Sequence, residues 1–534
     1  MRGADDASPA KPFPNIVFIL TDDTGYGDLG CYGSKGIKTP NVDRLAAQGI
    51  RFTNAYAPSA TCTPTRYACM TGEYAWRKHG TGILPGNAAL IIEPGRTTLP
   101  SVLKKAGYAT AAIGKWHLGL GDGEKVVDFN AEIKPGPCEI GFDYFFGMPA
   151  TTDRVPCVYV ENHRVVNLDP ADPISVSYVK KVGLWPTAGE NPELCTHQRS
   201  NSGHKDTIVN GIGRIGWMTG GKLALWQDEL MAQTYVSKAT AFIESHKSQP
   251  FFLYYATHEP HVPRWPDDRF RGKNPAGIRV EALEEMDWCI GEVLNKLDQL
   301  GLADNTLVIV TSDNGPAVSD GYDDGALEHE KQAGHKAAGH LRGGKYTPYE
   351  GGVREPLIVR WPAQIKQGNQ VSNEIVSLVD LLATAAALTG QTLQPQDGVD
   401  SLNVLPALTG TGPSPRHDTL FQGNYQTPFP YAQAIRDGAW KLVCTPVTYR
   451  KLLGHETKND AGKPFAELYN LTDDAIESTD LAAKHPDKLQ ALFDKLVAQG
   501  NNGFTRPGAA KIERAEQPRK AASVDHGKLD ETDL

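Results

Sequence analysis

Cys62-Thr-Pro64-Thr-Arg66 sets a thiol four residues ahead of a guanidinium and runs on into Tyr67-Ala-Cys-Met-Thr-Gly72, a short helix-like stretch that closes on a turn. A lone cysteine more often packs as a small apolar residue than reacts, so its weight depends on the company it keeps. Asp22-Asp23 and Asp313-Asn314 offer four oxygen ligands, which suit a hard cation, calcium or magnesium, better than zinc. Paired acids after a strand are also common as helix caps, and Asp22-Asp23 alone leaves both readings open. Gly114-Lys115-Trp-His117-Leu-Gly119 sets an ammonium two residues from an imidazole, and Ala256-Thr-His258-Glu-Pro-His261-Val-Pro263 carries two more imidazoles. Groups of these types neutralise an anion and move protons. Lys345 belongs to Leu341-Arg-Gly-Gly-Lys-Tyr-Thr-Pro-Tyr-Glu350-Gly-Gly-Val-Arg354-Glu-Pro356, where Glu350, Arg354 and Glu355 read as an ion-pair network that buttresses the loop.

Together these motifs resemble the formylglycine-dependent sulfatases of the arylsulfatase A type, within the alkaline phosphatase superfamily, from about Asn15 to Leu496. The resemblance implies that Cys62 is oxidised to formylglycine by a maturation enzyme, with Pro64 and Arg66 completing its recognition motif. The aldehyde hydrate is then the nucleophile: one oxygen attacks sulfur to give a covalent sulfo-enzyme, and the other expels sulfate. Thr311-Ser-Asp-Asn-Gly-Pro316 looks like the family's second metal motif, so Asp22, Asp23, Asp313 and Asn314, with the modified Cys62, are expected to hold Ca2+ rather than Mg2+. Arg66 is expected to hold the hydrate, Lys115 to neutralise sulfate charge and His117 to take the diol proton. Of the two later histidines, the family pattern favours His261 at the leaving oxygen, with His258 a neighbour. Lys345 resembles the lysine that bridges sulfate and leaving group, and Thr151 stands where relatives carry a serine. Asp153 and Arg154, with Trp76, Arg77, His79, His163 and His204, are candidates for substrate selectivity. Tyr56, Trp76, Trp185 and Trp217 are candidate stacking surfaces.

The elements that must position these groups alternate. Buried-strand runs are Asn15–Leu20, Tyr108–Ile113, Phe251–Tyr255, Leu307–Thr311 and Leu357–Val359; a capped helix is expected at Thr39–Gln48, with others at Leu99–Ala106, Leu225–Ser245, Arg279–Leu300 and Val376–Thr389. The alternation predicts an α/β fold on a large, mostly parallel sheet flanked by helices, plus a smaller C-terminal α+β part built on a short antiparallel sheet. Its strands are expected at Tyr431–Arg436, Ala439–Cys444 and Glu467–Tyr469, and its helix at Pro486–Gln499. Asp22, Asp23, Lys115, His117, His258, His261, Asp313 and Asn314 all follow strands, so a parallel sheet brings them to one edge. The expected division is a flexible segment 1–14, a catalytic domain 15–415 with a substrate-loop excursion 150–224, a C-terminal subdomain 416–500 and a tail 501–534.

At 534 residues and a formal net charge of -9, a broad nucleic-acid surface is not expected, although one cleft can still be basic. No run is long and apolar enough to span a bilayer, and the first residues lack the apolar core of a signal peptide, whereas the family points to a periplasmic or secreted protein. Eight cysteines show no zinc spacing; Cys138, Cys157 and Cys195 are open to disulfide pairing. The expected substrate is a sulfated sugar or glycan, of galactose or N-acetylgalactosamine type, cut from a chain end. The rival readings are a phosphomonoesterase or phosphonate hydrolase of the same superfamily, and a non-catalytic binder of sulfated glycans.

Overall fold

The computed structural model describes residues 13–423, 433–444 and 466–513. Its strands are β1 (Asn15–Thr21), β2 (Ile50–Tyr56), β3 (Ala109–Lys115), β4 (Tyr144–Met148), β5 (Val160–Glu161), β6 (Arg164–Val165), β7 (Phe251–Ala256), β8 (Thr306–Ser312), β9 (Arg354–Arg360) and β10 (Gln370–Ser377). They form one ten-stranded sheet in the order β10-β2-β9-β8-β1-β7-β3-β4-β5-β6. Strands β8, β1, β7, β3 and β4 run parallel, and β9 runs against both β8 and β2.

Alternate residues of β1 serve opposite faces. Ile16, Phe18 and Leu20 join one apolar cluster, Val17 and Ile19 the other. Helix α1 (Pro40–Ala47) covers the second face; α2 (Cys62–Thr71) and α3 (Leu99–Lys105) cover the first; α4 (Met231–Ser245) and α5 (Ile278–Gln299) lie on the second; α6 (Leu381–Leu388) returns to the first. Burial on both faces is why these strands read as continuous apolar runs.

Several expectations are corrected in detail. Strands β2 and β10 were not expected, and Val376 lies within β10 rather than starting a helix. The Leu357–Val359 run extends to Arg354–Arg360 and is antiparallel to its neighbours. The Thr39 hydroxyl faces Asp43 and accepts from the Gly30 N–H instead of capping α1. The described cysteines, Cys138, Cys157 and Cys195 among them, form no disulfide.

In the 150–224 excursion, short strands pair Ser175–Ser177 with Trp217–Thr219 and Ile208–Val209 with Ile212–Gly213. Buried Arg214, 2.8 Å from Asp228, and buried Arg264, 2.6 Å from Asp324, tie that stretch and its neighbours down. A second sheet comprises β11 (Asp418–Phe421), β12 (Ala434–Asp437), β13 (Trp440–Cys444) and β14 (Ala466–Asn470), all antiparallel and backed by α7 (Pro486–Asn502). Of the expected Tyr431–Arg436 strand, 431 and 432 lie outside the described residues, as do 1–12 and 514–534. The chain after α7 returns to the main body, where the Thr505 and Arg506 N–H groups donate to the Val399 carbonyl.

The small sheet reaches the active edge through one buried lysine. Lys441 lies 2.8 Å from Glu350 and 2.9 Å from Glu477, and Glu350 also accepts from the Tyr56 hydroxyl at 2.8 Å. Removing that cation leaves two buried carboxylates with, among the described residues, only the Arg354 guanidinium, 3.4 Å from Glu350, at ion-pair distance to offset their charge. Lys441→Met should therefore lower the unfolding free energy by about 3–5 kcal/mol in denaturant titration. An unchanged midpoint would show that this network does not hold the two sheets together.

Candidate active site

Strand direction decides where the polar groups meet. Strands β1, β3, β7 and β8 end on one edge, and antiparallel β9 begins there. That edge therefore receives Asp22-Asp23, Lys115 to His117, His258 to His261, Asp313-Asn314 and the loop before Arg354, while β2 leads into the turn before Cys62. Backbone contacts fix the loops: the Tyr346 N–H donates to the Ala60 carbonyl at 2.8 Å, and the Lys345 N–H to the Pro316 carbonyl at 3.0 Å. At Gly114 (φ 107) a Cβ would strike the Ala256 carbonyl, so β3 and β7 can close up only around glycine.

Three buried carboxyl groups face three buried cations. Asp313 Oδ2 accepts from Arg66 Nε at 3.0 Å and Nη2 at 2.7 Å; Asp22 Oδ2 accepts from Lys115 Nζ at 2.5 Å; Asp23 Oδ2 accepts from Lys345 Nζ at 2.8 Å. Asn314 Nδ2 donates to Asp23 Oδ1 at 2.7 Å, and His261 Nε2 stands 3.9 Å from Asp23 Oδ2. Cys62 opens α2 in the middle of this array, within the field of Lys115, Lys345, Asp313 and Asp22. Asp23 (φ 63), His117 (φ 54) and Tyr346 (φ 74) are non-glycine residues in the left-handed region, strain of a kind that gathers at functional sites.

Burial, reinforced by Asp313 and Asp23 against the pull of Lys115, pushes the Asp22 carboxyl up to about 8. Burial also raises Asp23, whereas at Asp313 burial is outweighed by Arg66, Lys115 and Lys345, which hold it below the usual range. Two oxygens, Asp22 Oδ1 and Asn314 Oδ1, are buried without a hydrogen-bond partner. Asp22, Asp23 and His261 each bring a ligand atom within 4.8 Å of the others. Hard oxygen donors with unused lone pairs in a buried acidic nest fit a divalent cation.

The two histidines have defined tautomers. His117 Nε2 faces the Leu84 carbonyl at 3.0 Å, and His261 Nδ1 faces the Val262 carbonyl at 2.6 Å. A carbonyl only accepts, so those nitrogens carry the protons, leaving His117 Nδ1 and His261 Nε2 as the bare ones. Burial, with nearby lysines adding to it, pushes both rings well below 6.5. Burial likewise raises the Cys62 thiol.

Beside this array, Arg154 Nη1 donates to Thr151 Oγ1 at 2.9 Å and to both Asp153 oxygens at 2.7 and 2.8 Å, the Thr151 hydroxyl donates to Asp153, and His204 Nε2 meets Asp153 Oδ2 at 3.0 Å. His258 makes none of these contacts and turns to Glu259. Other candidates fall elsewhere. Arg77 is ion-paired with Asp400 at 2.7 Å, His163 Nε2 meets Glu139 Oε1 at 2.9 Å, and Trp76 stacks on Tyr74 and under Arg77. Tyr56 is wholly buried against Phe421 and Glu350, which removes it as a stacking surface. His79 is exposed, and Trp185 and Trp217 are half-buried. Glu350 and Arg354 do pair, 3.4 Å apart, but neither Glu355 oxygen has a partner. Sequence reasoning missed Asp320, which accepts from the Tyr346 hydroxyl at 3.1 Å and lies 3.5 Å from Lys345, and Tyr254, whose hydroxyl accepts from Arg66 at 3.3 Å. Only the adjacency of Tyr346 to Lys345 hinted at the first.

Residues 14–391 match the model of the sulfatase family, and the chain belongs to that family. It is a sulfuric ester hydrolase. Its relatives include an N-acetylgalactosamine-6-O-sulfatase of Bacteroides thetaiotaomicron, 48% identical over 90% of this chain and 92% of that one. Human arylsulfatase A is 33% identical over 95% of this chain and 92% of its own. A solved structure from work on the metabolism of multiple glycosaminoglycans by Bacteroides thetaiotaomicron superposes with a TM-score of 0.85 at 47% identity, covering 92% of this chain and 99% of that chain.

The depressed His117 ring makes a pH prediction. Unfolded, it takes a proton near pH 6.5; folded, it stays neutral to lower pH. Its contribution is therefore intact above about 6.5 and is lost as pH falls, by up to about 1.4 kcal/mol per pH unit. Because asparagine tolerates a positive φ, His117→Asn should fold and should lose less stability than wild type between about pH 7 and pH 5. Parallel losses in denaturant titrations at the two pH values would contradict the assignment.

Proposed function

We propose that this sulfatase removes sulfate from position 6 of a galactose or N-acetylgalactosamine residue at a glycan chain end, with Cys62 carried as formylglycine and Ca2+ as the cation. The observation that carries the reading is the setting of Cys62: at the first turn of α2, among three cationic and three acidic side chains, every one buried. A thiol whose ionisation is suppressed by burial is a poor nucleophile in its own right. The hydrated aldehyde would supply the attacking oxygen and a second oxygen to expel sulfate. The unpartnered oxygens of Asp22 and Asn314, with Asp23 and Asp313, would hold Ca2+, which polarises a sulfate oxygen when bound.

The remaining work falls to the chain. Lys115, paired with Asp22, and Lys345, paired with Asp23, are suited to neutralise sulfate oxygens. Arg66, braced by Asp313, orients residue 62. The bare Nδ1 of His117 is suited to take a proton from that residue. His261 is held neutral with Nε2 bare, so it can protonate a leaving oxygen only after an arriving sulfate raises its affinity for a proton. Thr151, Asp153, Arg154 and His204 gather donors and acceptors suited to sugar hydroxyls. The 6-O position and the N-acetylgalactosamine type follow the relative of that name. Because Cys62 and Arg66 are wholly buried, a formylglycine-generating enzyme must read the motif before the chain folds. A periplasmic or secreted location fits that order; among the described residues no helix is long and apolar enough to cross a membrane.

Two measurements on one preparation test the proposal. Mass spectrometry of the Cys62 peptide should show that one sulfur and two hydrogens have been lost and one oxygen gained. Sulfate release should favour 6-sulfated galactose or N-acetylgalactosamine over the 4-sulfated isomers and fall to background in Cys62→Ala. Full turnover by protein with an unmodified thiol would refute the nucleophile, and preference for the 4-sulfated isomer would refute the substrate.

A further inference from the structure

Between the loop that carries His261 and helix α5 lies a second polar cluster that the sulfatase chemistry does not use. His258, Glu259 and Glu285, the last on α5, are all at least nine-tenths buried. Each brings one ligand atom within 4.8 Å of the other two. His258 Nδ1 lies 3.1 Å from Glu259 Oε1 but is not aligned for a hydrogen bond and has no hydrogen-bond partner. Glu259 Oε2 accepts from the His258 N–H at 3.1 Å and Glu285 Oε1 from the Asp267 N–H at 3.0 Å, which fixes both carboxyl groups; the second Glu259 oxygen meets the Cys289 thiol at 4.0 Å. Among the described residues, no lysine or arginine lies within ion-pair distance of either glutamate; Arg269 acts on Glu285 only through its longer-range field.

Two buried acidic groups side by side with no cation beside them are costly. Here an unprotonated ring nitrogen of His258 would complete a three-donor set. One imidazole nitrogen and two carboxylate oxygens suit a borderline first-row divalent ion better than calcium, which prefers an all-oxygen shell. The wholly buried Cys289 thiol donates to Glu259 Oε1 at 4.0 Å and stands outside the three-donor group.

We propose that His258, Glu259 and Glu285 form a second, buried cation site that takes a zinc-type divalent ion, separate from the oxygen site at Asp22 and Asp313. The ion ties the 257–261 turn to α5. The Asp22 N–H donates to the Glu259 carbonyl at 3.1 Å, so the same turn underlies the catalytic array, and the role of the ion is to stiffen that turn.

The test uses the full chain, purified without chelator and dialysed against excess Ca2+ to fill the oxygen site. Zinc is then measured by elemental mass spectrometry and titrated while thermal unfolding is followed. Wild type should hold about one zinc per chain and unfold at a higher temperature as zinc is added. Glu285→Gln and His258→Gln should each weaken zinc binding about tenfold or more, while Asp313→Asn should keep it. No zinc binding by wild type in excess Ca2+ would overturn the proposal. Equal binding by both variants, or loss of zinc in Asp313→Asn, would overturn it too, the latter by placing the zinc at the catalytic array.

Discussion

The contact between Arg66 and Asp313 joins the two halves of the buried charged array. It links the helix that presents Cys62 to the strand end that supplies the acidic pair's partner, across 247 residues of sequence, with both side chains wholly buried. In a low-dielectric site neither charge is tolerable alone, so the pair dictates that α2 and β8 meet at this point. Lys115 with Asp22 and Lys345 with Asp23 repeat the device on either side. The result is a cradle whose charges are nearly balanced but whose oxygens are not used up, as Asp22 Oδ1 and Asn314 Oδ1 show. Spare lone pairs and flanking ammonium groups are what a cation and an anionic ester need from the same pocket.

The sheet makes this arrangement possible by direction alone. Four parallel strands release polar residues at their carboxyl ends, and antiparallel β9 lets Lys345 and Glu350 enter from the opposite sense. The smaller sheet is part of the same mechanism of support. Through Lys441 it grips Glu350, five residues after Lys345, and the Gln422 carbonyl accepts from the Ala60 N–H just ahead of Cys62. Charged loops on rigid strand ends, backed by buried ion pairs, need little reorganisation when charge develops on a bound molecule.

Much of this was legible in the sequence because its signals are local. Continuous apolar runs mark β1, β7 and β8 as doubly buried, and the polar residues just past them mark the active edge. β2 was missed because Ile50-Arg-Phe-Thr-Asn-Ala-Tyr mixes polar and apolar residues, as suits a strand whose residues vary from buried to half-exposed. β10 has the same character at Gln370–Ser377, and its apolar end merges with the helix that follows. Side-chain direction was the harder limit. His258 and His261 have similar sequence settings, yet one faces Glu259 and the other Asp23. Tyr56 looked like a stacking surface and is a buried partner of Glu350, and Glu355 looked like an ion-pair member and stands without one. Asp320 and Glu285 carry no motif at all, so only the folded chain reveals what they touch.

The balance of charge in the cradle is the claim on which everything else rests, and calorimetric titration of Ca2+ into chelator-treated protein tests it most directly. The account predicts one site per chain, tighter for Ca2+ than for Mg2+, and lost in Asp22→Asn. A chain that binds no Ca2+, or binds it equally well without the Asp22 carboxylate, would contradict it.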